Sequence, residues 1–285
     1  MARLRISAIS YLNTAPLMWD FEQGPRSSEL RQEFQIDYTI PSRCAQMLAQ
    51  GSADIGIIPV AAYATIPGLL ILPDVAIASK NAVASIVLVS KLPLQRIQTV
   101  ALDSSSRSSA ALTQILFAKY WQQRVQFAPA EPELDSMLAK HDAALVIGDP
   151  ALQVNRSLYH TWDLGEEWRN FTGKPFVFAF WAVRAQAASE DELARVAEIF
   201  CHSRDEGLKH TSELVSEWSL RLGLAPALIE SYLRDNIHYY LDGENLEGLG
   251  LFFQLAFELG ILPPAPELRF AQELEIRNSA LGNRF

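Results

Sequence analysis

The sequence predicts an α/β protein of two lobes that enclose a cleft. Three observations carry this. Short apolar runs alternate with helical patterns through the first half, the alternation restarts after Lys91-Leu92-Pro93, and beyond residue 190 only helical patterns remain. An alternation of that kind implies mostly parallel sheet covered by helices. The length of 285 residues allows one large or two modest domains.

The elements follow in order. A strand is expected over 5–10, and Asn13-Thr14-Ala15-Pro16 then offers a capping side chain and a first-turn proline for a helix that stops at Gly24. A second strand covers 36–40. Pro41-Ser42 caps a helix over 43–50, ended by Gly51, and 54–58 is a buried strand without polar alternation. Further strands are expected over 69–72 and 84–90. In the second unit, strands over 99–102, 125–128 and 143–147 alternate with helices over 106–120 and 134–140. Gly148-Asp149-Pro150 opens the next segment, a Trp-rich loop covers 162–173, and 176–183 is a long apolar strand. Helices are expected over 190–208, 211–220, 226–235 and 246–259.

Two connections fit this order. A tandem would place a border near 92. A discontinuous arrangement would make 1–91 and 183–285 one lobe, with 92–182 inserted as the second. The strands over 84–90 and 176–183 bracket the insert, each long enough to run between lobes, so the discontinuous form is preferred. Ligands of open α/β sheets sit at the carboxyl ends of strands beside helix N-termini.

Composition narrows the function. The chain is 49% apolar and 20% charged, so it is globular rather than disordered. Twenty-four Lys and Arg against 33 Asp and Glu give a net charge of −9, the wrong sign for a nucleic-acid or anionic-membrane binder. No run approaches the roughly 18 apolar residues of a membrane span, and Ser7, Ser10 and Asn13 interrupt any export-signal core. The expectation is a soluble, cytoplasmic protein, monomeric or homodimeric, with a small-molecule ligand. Cys44 and Cys201 lie too far apart for a metal clip, and two buried thiols are preferred to a disulfide.

Motifs for nucleotide binding, zinc hydrolysis and nucleophilic serine chemistry are absent, and the five histidines show no ligand spacing. What remains is polar loops where strands end. Ser10-Tyr11-Leu12-Asn13-Thr14 brings two hydroxyls, a phenol and an amide to a helix start, more than a cap requires. Asp103 through Ser109 sets five serines around Arg107 before a helix, a cradle for a carboxylate or phosphate; the plainer reading is a serine-rich cap. Gly148-Asp149-Pro150 permits close backbone approach. Ser85, in an apolar strand, is either satisfied by backbone or turned to the cleft.

These loops resemble those of the chorismate dehydratases of the futalosine route to menaquinone. The resemblance rests on Ile9-Ser10-Tyr11-Leu12-Asn13-Thr14-Ala15-Pro16, Gly51 through Pro59, Asp103 through Ser109, Ile147-Gly148-Asp149 and Pro175 through Trp181. Where the family commonly has Ser-Arg-Thr-Ser, this chain has Ser106-Arg107-Ser108-Ser109. The resemblance implies a periplasmic-binding-protein type II-like fold and loss of water from chorismate, without metal or nucleotide. It implies catalytic roles for Asn13, near the leaving hydroxyl, and Ser85, on a substrate oxygen. It implies a carboxylate clamp from Ser106, Arg107, Ser108 and Ser109, with Ser10, Tyr11, Thr14, Gly148 and Asp149 also at the substrate. The enolpyruvyl carboxylate of the substrate is the base proposed for the family. Two rivals share the fold: a non-catalytic receptor for a small carboxylate, and the sister 1,4-dihydroxy-6-naphthoate synthase, which expects a Cys-Pro-Asn-Asp-Thr type of first loop.

Overall fold

The computed structural model describes residues 3–272. Two five-stranded sheets form. The first contains β1 (Leu4–Ile9), β2 (Phe34–Thr39), β3 (Ile55–Pro59), β4 (Leu69–Ser79) and β10 (Phe176–Arg184), in the order β2-β1-β3-β10-β4. The second contains β5 (Ile86–Ser90), β6 (Thr99–Asp103), β7 (Gln126–Ala130), β8 (Ala143–Ile147) and β9 (His160–Asp163), in the order β7-β6-β8-β5-β9.

Both sheets are mixed rather than mostly parallel. β1 pairs in parallel with β2 and β3, whereas β10 runs antiparallel between β3 and β4. β6 is parallel to β7 and β8, and β5 antiparallel to β8 and β9. Local apolar runs carry no strand direction; the antiparallel members arise where the chain passes between the sheets.

Those passages move the expected borders. β5 belongs to the second sheet and β10 to the first, so residues 86–90 leave the first lobe and 176–182 join it. The chain crosses between β4 and β5 and again between β9 and β10, and neither bracketing strand spans both lobes. One carboxylate joins the crossings. Asp163 Oδ1 accepts from the N–H of Val83, Gly165 and Glu166 at 2.9–3.1 Å, and Oδ2 accepts from Ala84 N–H at 2.6 Å. It thereby caps the helix Leu164–Thr172, which replaces most of the expected Trp-rich loop. Ala84 is held at φ +62° beside it.

Helices cover the sheets. We number α1 (Pro41–Gln50), α2 (Arg107–Ile115), α3 (Leu164–Thr172), α4 (Glu190–Lys209), α5 (Thr211–Leu222) and α6 (Gly243–Glu258). α1 ends at Gly51 with φ +70°, and α4 starts with a reciprocal capping box between Ser189 and Glu192. β10 is buried along Phe176–Val183, with Trp181 against Phe200 of α4 and Phe176 between Trp168 and Phe252. Along β5, Ile86 and Leu88 face the main core while Val87 and Val89 face a second cluster with Met137 and Val146, the period-2 signature of a strand covered on both faces. Among the described residues no helix is long and apolar enough to cross a membrane. Cys44 is buried, and burial pushes its thiol up to about 12; Cys201 is half-buried, its Sγ 3.6 Å from the Pro73 carbonyl, and no disulfide joins them.

Two glycines of α6 test this packing. A Cβ on Gly248 would overlap the Pro175 carbonyl oxygen, whereas Gly250 faces open space. Gly248→Ala is expected to destabilise by about 1–3 kcal/mol through overpacking. Gly250→Ala is expected to stabilise by up to about 1 kcal/mol through helix propensity. Denaturant midpoints of the two variants check the contrast.

Candidate active site

The carboxyl ends of β1, β3, β6 and β8 converge on a narrow, partly open cavity between the lobes. Its walls are mainly apolar: Ile9, Pro41, Pro59, Ile77, Ile86 and Phe178, among others. Tyr11, Asn13, Ser106, Ser109 and Gly148 bring the polar groups. No Lys, Arg or His is among these lining residues. Such a space suits a small ring with polar substituents held by hydroxyls, an amide and backbone N–H groups.

The first loop enters the cavity through a tight turn. A 3-10 segment, Leu12–Met18, replaces the expected helix start, and no side chain caps it. Asn13 is thus released from capping; it is buried, with Thr14 Oγ1 donating to its Oδ1 at 3.4 Å. The hydroxyl of Tyr232 also lies within reach of the Asn13 side chain. Tyr232 O–H donates to Ser85 Oγ at 2.8 Å. Ser85 is fully buried and lies outside the cavity lining, so its hydroxyl is neither satisfied by backbone nor turned to the cleft: its partner is a tyrosine side chain adjoining Asn13. Burial holds the Tyr232 phenol above the ordinary tyrosine range, so it remains a donor at neutral pH. Nothing in the sequence singled out Tyr232, whose helical-tail context carries no local motif.

The second polar loop splits its residues. Ser106 is the N-cap of α2; its Oγ accepts from Ser109 N–H at 3.4 Å and donates to Ser109 Oγ at 2.8 Å. Ser108 turns the other way, and its Oγ accepts from Ala61 N–H at 3.1 Å, at the start of the short helix Val60–Tyr63 of the first lobe. Arg107 is exposed and lines no part of the cavity. Of the residues expected in the clamp, only Ser106 and Ser109, at the N-terminus of α2, line the cavity. The first N–H groups of α2 attract an anion without a counter-cation.

Further bonds close the seam. Ser42 N–H donates to the Ser105 carbonyl at 3.0 Å. Asp103 is nearly buried and accepts from Ser105 N–H and O–H at 2.8 and 2.6 Å, and burial raises its pKa. Gly148 stands at φ +67°, and a Cβ there would lie 2.6 Å from the Tyr11 ring. Asp149 lies outside the cavity lining, with Oδ1 accepting from Leu12 N–H at 2.9 Å across the lobes. Ser10 and Thr14 border a second, outer chamber of about 190 Å³, with Trp19, Tyr38, Trp218 and Arg221. Tyr11 and Ile9 wall both spaces. Among the described residues no group of three or more His, Cys, Asp or Glu side chains is arranged to hold a metal ion.

Fold and cleft define the class: a two-lobed α/β protein with a polar-lined cavity between its lobes. Residues 4–258 match the model of a family described as menaquinone biosynthesis, and the chain belongs to that family. The chorismate dehydratase of Thermus thermophilus is 30% identical over 283 residues, covering 90% of this chain and 94% of that one. Among solved structures, a protein from Archaeoglobus fulgidus superimposes with TM-score 0.75 at 14% identity, covering 91% of this chain and 98% of the other. The periplasmic aliphatic sulphonate binding protein of Escherichia coli gives 0.67 at 17% identity over 99% and 96%. Both likenesses show the fold alone.

Asp149 makes folding stability depend on pH. Burial lifts its carboxyl to about 6, against the Leu12 N–H and Arg221, which act the other way; Tyr11 and Tyr232 also face it. The folded value lies above the ordinary value of about 3.9, so the closed fold binds the proton more tightly. Its contribution to stability is full below about 4 and is lost as pH rises through about 6. Relative to Asp149→Asn, the native protein should gain unfolding free energy as pH falls from 7.5 to 4.5. Urea titrations of both proteins across that range check the slope.

Proposed function

We propose that this protein is a chorismate dehydratase, a hydro-lyase that removes water from chorismate to give 3-[(1-carboxyvinyl)oxy]benzoate. The observation that carries this is the cavity between the lobes, whose lining offers Asn13, Ser106, Ser109 and the phenol of Tyr11 but no cation or ready base. The reading is supported by the similarity to the Thermus thermophilus enzyme along nearly the whole chain. Biosynthetic work of this kind belongs in the cytoplasm.

The chemistry suits such a lining. Chorismate is a cyclohexadiene, and loss of a ring proton with the ring hydroxyl makes it aromatic. One C–H and one C–O bond break, the C–H pair becomes the new ring π bond, and proton and hydroxide leave as water. The product's aromaticity supplies the driving force. The protein must bind two carboxylates, hold the ring and stabilise charge on the departing oxygen.

Asn13 is assigned to that oxygen, its amide N–H donating as negative charge develops. Ser85, outside the cavity lining, accepts from Tyr232 and so holds that phenol beside Asn13 rather than meeting substrate itself. Ser106, Ser109 and the α2 N-terminus take one carboxylate. The enolpyruvyl carboxylate, held close to the ring, accepts the proton. The mainly apolar walls lower the local polarity and strengthen each of these hydrogen bonds.

Absorbance during incubation with chorismate tests the assignment: diene absorption should give way to that of an aromatic product, and an unchanged spectrum would refute it. Asn13→Asp should fold with an unaltered melting temperature yet lose about 100-fold or more in kcat, because a carboxylate cannot donate and repels the developing charge. Near-native turnover would remove Asn13 from the chemistry. Arg107→Ala, with its guanidinium outside the cavity, should leave KM within about threefold, since exposed charges contribute little.

A further inference from the structure

The short segment that follows β8 touches nothing in the cavity beyond Gly148, yet it grips the first lobe at two places. At its start, Asp149 Oδ1 accepts from Leu12 N–H at 2.9 Å, joining residues 137 positions apart. At its end, Gln153 Nε2 donates to the Leu222 carbonyl at 3.2 Å, at the last residue of α5. Between them runs the single turn Asp149–Leu152. The N–H that Asp149 holds lies between the two residues that matter most in the first loop. Tyr11 precedes it and Asn13 follows it, and both wall the cavity.

We propose that Asp149 is a latch between the lobes, a positioning residue that sets Asn13 and Tyr11 against the second lobe without touching substrate. Three features support it. Leu12 N–H opens a 3-10 segment, where the first donors have no partner within the segment, and no side chain of the loop caps it. Asp149 supplies from the opposite lobe the acceptor that a local cap would supply. Gly148, by lacking a Cβ, lets the Tyr11 ring close down on the same backbone. Arg221 of α5 adds a favourable charge toward the carboxylate from the first-lobe side. Opening the lobes separates all of these partners.

The inference rests on the proposed dehydration where kinetics are used, and one arm of its test does not. Asp149→Ala removes the acceptor, whereas Asp149→Asn retains a carbonyl oxygen in the same place. Binding must then drive closure unaided, so KM for chorismate in the alanine variant should rise about tenfold, the size expected for losing one charge-assisted hydrogen bond, with kcat within about threefold. The asparagine variant should recover most of that loss. A carboxylate acting on substrate gives the opposite pattern: both variants equally impaired, or kcat down about 100-fold at unchanged KM, and either result overturns the latch. Small-angle X-ray scattering of the ligand-free proteins supplies the second arm. The alanine variant should be more expanded than the native protein and the asparagine variant should match it; equal radii for all three would overturn the latch. If the native protein leaves chorismate unchanged, the dehydration reading fails while scattering still judges the latch.

Discussion

A single carboxylate determines where this chain turns from one lobe into the other. Asp163 receives four backbone N–H groups, two from the outgoing crossing and two from the first turn of α3, which leads into the return. It is almost fully buried, and burial raises its pKa despite those donors. An unpaired carboxylate there would be costly, so the two crossings are held together or not formed at all. The consequence reaches the site directly. Ala84 is bent to φ +62°, Ser85 follows it, and the Ser85 carbonyl receives Gly148 N–H at 2.7 Å. The placement of Ser85, Gly148 and the β8 loop thus begins at a residue that never meets the cavity.

The seam between the lobes obeys one rule: each lobe completes the polar groups that the other leaves open. Leu12 N–H meets Asp149, Ala61 N–H meets Ser108, Ser42 N–H meets the Ser105 carbonyl, and Tyr232 meets Ser85. Apart, these groups would turn to water; together they bring the two lobes against the cavity. A fold that encloses solutes is suited to an elimination that needs enclosure more than it needs a strong acid or base. The same closed geometry favours hydroxyls and helix N-termini over an arginine, because a carboxylate held by oriented dipoles needs no buried counter-charge.

Much of this was legible from residue order. Strands over 143–147 and 176–183 and a helix over 134–140 follow from apolar runs and their punctuation, and the structure places β8, β10 and Leu134–Lys140 there or within a residue. The polar loops also fall at strand ends as read, which brings Tyr11, Asn13, Ser106 and Gly148 into one cavity. The remainder depended on long-range partners. The strand expected over 69–72 continues through Pro73 and Asp74 to Ser79, because β10 pairs along it through two register shifts. The helix Leu164–Thr172 hid among tryptophans that read as loop, although Asp163 is an evident cap. Arg107 drew attention by its charge, but at the first position of α2 it is exposed, while Ser106 and Ser109 face the cavity. Tyr232 carries no local signal and acquires its role only when the tail folds onto β5.

The central claim is that chemistry takes place in the inner cavity, with the outer chamber beside Trp218 and Arg221 as bystander. A crystal structure with the aromatic product bound decides this most directly. The account predicts the benzoate ring between Phe178 and Ile86, an oxygen within hydrogen-bond reach of Asn13, and a carboxylate at Ser106 and Ser109. Product seated instead in the outer chamber, on the far side of the Tyr11 ring, would contradict it.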